Sequence, residues 1–179
     1  MSGSRIGIAV AVFMLLCGNT AAAQAHDADE GPAITARVHA TFTDGAGGTG
    51  VLSGDMSIVR FEVRDDTVTA IGRIIGALAD SAGNVLGRVN QELAQPVSNI
   101  ASTCNQLQMD LDAVDVDVRG QRVHFDPGAA GFDSRQGTTP KALKVLCAAA
   151  DVFRGPSTPA ARASALNDVA TAIRAKNPR

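Results

Sequence analysis

From Ala33 onward apolar and polar residues alternate, with Ile34, Ala36, Val38, Ala40 and Phe42 in one phase and Thr35, Arg37, His39 and Thr41 in the other. A period of two puts successive side chains on opposite faces, so this stretch predicts a half-buried strand. Asp44 to Gly50 is glycine-rich and predicts a flexible loop. A second strand is predicted from about Val51 to Val63, with Val59, Phe61 and Val63 alternating against Arg60, Glu62 and Arg64 before a turn at Asp65-Asp66. Val68 to Leu78 is apolar in both phases, the pattern of a central strand covered on both sides. Asp80 to Asn84 then turns the chain into a fourth strand, from Val85 to about Leu93. Pro96 ends it, because proline has no N–H to give a ladder.

Farther on, Leu107, Met109 and Leu111 occupy odd positions, whereas Val114, Val116 and Val118 occupy even ones. A change of parity across Ala113 predicts a bulge or bend that keeps one face inward. Gly120-Gln121 fits a two-residue hairpin turn leading into Arg122 to Phe125. Pro127 to Pro140 reads as a long loop. The period then lengthens: Ala142, Val145, Leu146, Ala149, Val152 and Phe153 form a helical stripe that carries Cys147, stopped at Gly155-Pro156. Thr158-Pro159 has the form of an N-cap followed by proline at the first helical position. The last helix, to about Lys176, shows Leu166, Val169, Ala170 and Ile173 on one face.

Strands followed by helices predict an α+β fold. Its antiparallel β-sheet has about six strands, able to close partly into a barrel, and is packed by a disulfide-tethered helix with a further C-terminal helix. Residues 33–153 form a single β-rich domain with its closing helix, and residues 154–179 carry the C-terminal amphipathic helix.

The start of the chain has the layout of a secretory signal peptide over residues 1–25. Arg5 supplies the positive charge, Ile6 to Leu16 the apolar core, and Ala21 to Ala25 the small residues of a cleavage site after Ala23 or Ala25. Leu16 precedes Cys17, where an acylated cysteine follows a small residue, so a lipid anchor is not expected. Residues 26–32 read as a flexible N-terminus. No later run approaches the ~20 apolar residues of a membrane-spanning helix. The predicted address is the periplasm or the medium. Of three cysteines, only Cys104 and Cys147 remain after cleavage, and in an oxidising compartment they predict one disulfide.

Composition narrows the function more than it identifies it. A formal net charge of −2 excludes the broad basic surface of a nucleic-acid binder. Tyr and Trp are absent, which removes the platforms on which bases and sugars stack. Asp110, Asp112, Asp115 and Asp117 alternate along a strand and predict a solvated acidic face rather than a converging metal site. His39 and His124 fall in the polar phase of their strands, and His26 would be exposed at the mature terminus. No metal, cofactor or catalytic residue is predicted. Gly72 and Gly76 flank Ile74 on one face of the third strand. Glycine there allows either close packing of the Cys147 helix or a narrow apolar groove for a small hydrophobe.

The run Cys104-Asn105-Gln106-Leu107-Gln108-Met109-Asp110-Leu111, continued by Val114 to Val118 and closed by Val145-Leu146-Cys147-Ala148, resembles a group of small secreted bacterial proteins. In them a cysteine opens a Leu-x-Leu strand and a Leu-Leu-Cys-Ala helix segment closes it. The Ile71-Gly72-Arg73-Ile74-Ile75-Gly76 strand is similar to theirs, and the likeness spans roughly residues 50–153. Asp112-Ala113 departs from the Gly-Pro pair usual in that group. The resemblance implies export, the disulfide and a β-rich fold, and no activity.

The expected function is therefore a non-enzymatic exported protein that binds a partner or has a structural role in the envelope. One alternative is a carrier of a small apolar ligand or lipid, held beside Gly72 and Gly76. The other is a secreted hydrolase, with a cleft where a Ser or Asp meets His39 or His124. The expected partners are a small apolar ligand or an envelope protein, without nucleic acid.

Overall fold

The computed structural model describes residues 34–134 and 138–175; the leader, both cleavage positions and His26 lie outside them. Eight strands precede two helices: β1 (Ile34–Thr43), β2 (Thr49–Arg64), β3 (Thr67–Ala79), β4 (Val85–Ser102), β5 (Gln106–Leu111), β6 (Val114–Val118), β7 (Gln121–Phe125), β8 (Gly128–Asp133), α1 (Pro140–Arg154) and α2 (Pro159–Arg174). The sheet is antiparallel and ordered β2-β3-β4-β5-β8-β1-β7-β6, and β1 also pairs with β2. Pairing can thus be followed from β2 round to β1 and back to β2. The β1 seam is narrow, two residue pairs with β8 and three with β7, and the curled sheet forms no clear barrel.

The excess over six strands has two sources. The parity change across Ala113 is a true break, dividing one predicted strand into β5 and β6. The second is a correction: β8 lies inside the segment expected to be a loop. Its residues, Gly-Ala-Ala-Gly-Phe-Asp, carry almost no apolar alternation. They become a strand because β5 pairs along one edge and β1 along the other. The β6–β7 turn also shifts by one residue. Val118 pairs with Gln121, and Arg119 and Gly120 both take positive φ, 56° and 82°, as a two-residue hairpin of the primed type requires.

Pro96 does not end β4, which continues to Ser102. The Pro96 carbonyl accepts from the Asp112 N–H at 2.9 Å. Its ring nitrogen faces the same side, where β5 gives way to the bend before β6, so the missing donor leaves no ladder bond unmade. Gln95, buried just before it, donates from Nε2 to the carbonyl of Asp112 at 2.8 Å and to that of Asp126 at 3.5 Å. One amide thus ties together both bends, β5–β6 and β7–β8.

Two further expectations change at β2 and β3. A register shift between Ile58 and Arg60 marks a bulge at Val59. Ile58 and Phe61 are buried, while Val59 and Val63 are exposed, so the predicted Val59-Phe61-Val63 face does not form. β3 is covered on both faces only near Ile71. There Ile71 is fully buried, and Arg60 on β2, its register partner, forms an ion pair with Glu92 on β4 at 3.2 Å. Farther along, Ile75 is open to solvent.

β2, β3 and β4 run past Ile34, and among the described residues no strand lies opposite Phe61, Val68, Ala70 and Val97 there. Leu146 and Ala149 of α1 and Leu166, Val169 and Ile173 of α2 pack there, in one core with the strand residues. Thr139 and Thr158 cap the two helices, each side chain accepting from the N–H three residues on, with Pro140 and Pro159 following.

Candidate functional site

Cys104, in the turn between β4 and β5, is joined to Cys147 on α1 by a disulfide. The bond ties the helix pair to the sheet, as the two cysteine positions predict.

The predicted groove at Gly72, Ile74 and Gly76 is not formed. A Cβ on Gly72 would lie 2.7 Å from the Met56 methyl and from the Ser57 carbonyl. Met56 and Ile74 are fully buried. Gly76 pairs directly with Gly54, and a Cβ on it would lie 2.6 Å from the Ser53 carbonyl. The space beside the glycines is taken by β2 itself and by Met56, so these residues serve a tight strand–strand approach.

The acidic row is exposed, and each carboxylate has its own neighbour. Asp110 accepts from Asn99 Nδ2, Asp112 from Ser98 Oγ and Asp117 from the Gly120 N–H. Asp115 accepts from Arg122 Nη2 at 3.2 Å, and its Oδ1 lies 2.9 Å from His124 Nδ1. Among the described residues no three potential metal ligands converge. His39 stands exposed on β1, opposite Ser53.

An open cleft of about 630 Å³ lies beside the β1–β7 pairing, its lining including Thr41, Phe42, Thr49, Asp115, Arg122 and His124. His124 first, and Arg122 after it, hold the Asp115 carboxyl below the usual carboxylate range. The carboxylate orients the imidazole through Nδ1, so Nε2 is the ring nitrogen turned away from Asp115. Thr41 sits opposite His124 in the β1–β7 ladder. However, no hydroxyl is hydrogen-bonded to Nε2 among the described residues, and half of the His124 side chain is exposed, 52%. This is the geometry of a cross-strand surface pair.

A second depression lies beside the helices. α1 and α2 are joined by a short link, Gly155 to Thr158, and lie against each other as antiparallel neighbours. Leu146 is buried in the core, whereas Val145 and Val152 are only partly buried against it and, with the exposed Ala148 between them, line a groove beside α2, spaced by three and four residues. Across from them Ala165, Ala172 and Ala175 supply the wall of α2. Because alanine leaves the helix surface shallow, the two walls enclose a mainly apolar groove of about 440 Å³. Lys141 and Lys144 stand at its α1 N-terminal end, and Asp168 and Thr171 lie on the α2 side. Sequence periodicity placed Val145 and Val152 in one stripe with Leu146. In the structure Leu146 is fully buried in the core, while Val145 and Val152 pack against that core and also line the groove. The legible signal was the pair of lysines in the opening turns of a helix whose first turn holds no acid.

No protein-family model, no curated protein and no solved structure matches the chain.

Proposed function

We propose that this protein is an exported, non-enzymatic binding protein, of the kind its cysteine segments resemble, and that its ligand site is the groove between α1 and α2. The carrying observation is the groove itself. Its volume, about 440 Å³, falls within the range of small-molecule sites, and so does its makeup of apolar walls with a few polar groups at the rim. It reaches the exposed Ala148, where a helix that only covers a sheet presents polar residues. The disulfide at Cys147 supports the reading, because it anchors the wall of the groove on the sheet. Export is supported by the signal-like leader and by the disulfide. The apolar-ligand alternative thus moves from the β3 glycines to the helix pair. The hydrolase alternative has the Asp115–His124 pair in its favour, and it lacks a hydroxyl engaged with the imidazole.

The test is a neutral apolar fluorophore such as N-phenyl-naphthylamine, titrated against the protein and an Ala148→Phe variant. Ala148 is exposed on the groove wall, so a phenyl ring there fills the groove without entering the core. We expect one probe per chain and about tenfold weaker binding to the variant, equivalent to a change of about 1.4 kcal/mol, with Tm unchanged. Equal affinity for both chains would place the probe elsewhere and overturn the assignment.

A further inference from the structure

Resting on that reading of the groove, we infer that its ligand is a free, single-chain anionic amphiphile. The alkyl chain lies between Val145, Val152 and the alanines of α2, and the head group meets Lys141 and Lys144. The argument begins with an electrostatic oddity. The N-terminus of a helix carries a partial positive charge that favours acids and disfavours cations, yet α1 opens with two lysines and no acid in its first turn. Neither lysine forms an ion pair among the described residues. Placed three residues apart, both project from one side of the helix, and both line the groove.

Lys141, Lys144 and Asp168 are the charged residues of the lining, so the groove carries a net positive charge before the α1 terminus is added. An anion seated there neutralises all of this at once, through charge-assisted bonds to one or both lysines. The lysine stems extend the apolar wall toward the head group, leaving their charged tips at its edge. From Lys141 to Val152 the helix rises roughly 16 Å at 1.5 Å per residue, which accommodates one alkyl chain laid lengthwise. The narrow volume suits a single chain and not the paired chains of a membrane phospholipid. Such a gradient, from cationic at one end to apolar along the rest, is complementary to a fatty-acid-like molecule in solution.

Calorimetric titration with laurate and with dodecanol, which share an alkyl chain, separates head-group recognition from chain burial; both are used as monomers. Laurate is expected to bind about tenfold more tightly than dodecanol. A Lys141→Ala/Lys144→Ala chain should bring laurate down to the level of dodecanol without changing dodecanol binding, and Lys141→Arg/Lys144→Arg should restore the preference. Both lysines are exposed, so these chains keep the fold. Equal binding of the two ligands to the unaltered protein overturns the anionic assignment and leaves the groove as an apolar site. Absence of binding by either ligand overturns the groove reading and the head-group assignment together. Binding to anionic vesicles without binding to monomeric laurate also overturns the proposal, since the partner would then be a membrane surface.

Discussion

Asp44 shows how much one side chain can organise where two loops meet. Its carboxylate accepts from the N–H groups of Ala46 and Gly48 in its own loop, at 3.0 and 2.8 Å. It also accepts from the Ser81 N–H in the β3–β4 turn at 2.8 Å. The Ser81 hydroxyl, followed by the backbone donors of Ser81 and Gly48, lowers its pKa to about 2. Since the folded value lies below the unfolded value of about 3.9, the ionised carboxylate stabilises the fold at every pH above the unfolded value. That contribution is lost as pH falls through about 4 towards 2. An Asp44→Ala chain should therefore melt at a lower temperature than the unaltered protein at pH 7, with the gap closing by pH 2. Thermal melts of both chains at a series of pH values check this, and a gap independent of pH would show that ionisation of Asp44 is not what matters. The glycine-rich composition of this loop predicted flexibility. It did not show that Asp44 would tie the loop to a turn 37 residues away.

At the scale of elements, the edge of β2 is managed by a helix. β1 begins opposite Ile58, and beyond that point no strand pairs with the outer edge of β2 among the described residues. Such edges invite pairing with other chains. Asn167 of α2 takes the place of a strand: its Oδ1 accepts from the Phe61 N–H and its Nδ2 donates to the Phe61 carbonyl, both at 2.8 Å. Arg174 adds a bond to the Val59 carbonyl at 2.6 Å. The side-chain amide has the same donor and acceptor as a peptide group, which is why one asparagine replaces a ladder pair. Asn167→Leu should cost about 1–3 kcal/mol, because both Phe61 groups lose their partner in a partly buried place. The Phe61 amide should also exchange with solvent much faster. Urea unfolding with amide-resolved hydrogen exchange reads both effects, and an unchanged Phe61 exchange rate would rule out this role. Apolar periodicity located α2 correctly but gave no weight to Asn167, since a polar residue beside a buried stripe reads as surface.

For the whole molecule, the disulfide adds a covalent tie between the helix pair and the sheet, which are otherwise joined by packing and by the Asn167 and Arg174 bonds to β2. α1 meets the sheet mainly at β4, while α2 lies along β2 and β3. Cys104 and Cys147 are 43 residues apart, and closing a loop of that length lowers the entropy of the unfolded chain by an amount worth ~4 kcal/mol. Replacing both cysteines with serine should lower the unfolding free energy by about 2–4 kcal/mol, visible as a lower urea midpoint. Reduction of the unaltered protein should have a similar effect. If the oxidised and reduced proteins unfold at the same urea concentration, the staple contributes nothing to the fold. Helix and strand residues share one core, so the lost stability should appear as a single shifted transition and not as early release of the helices.

Local pattern determined most of the elements and the helix cap at Thr158. Alternation exposes strands such as β1 and β7, and Thr-Pro before an apolar stripe exposes a helix start; both follow from the chemistry of adjacent residues. The two cysteines were legible as a pair for the same reason, since few partners were available. Sequence could not reveal β8, whose small residues become a strand only between β1 and β5, or the passage of β4 through Pro96, which depends on where β5 ends. Nor could it place the groove. A helical stripe tells which residues are apolar, but that Val145 and Val152 pack against the core and still leave a groove beside them depends on how two helices lean together on the sheet. The glycines of β3 invited the opposite error, because the space beside them belongs to Met56 and Gly54 on the neighbouring strand. What a residue does alone or with its chain neighbours is written in sequence. What fills the space beside it is decided by residues that only tertiary structure brings near.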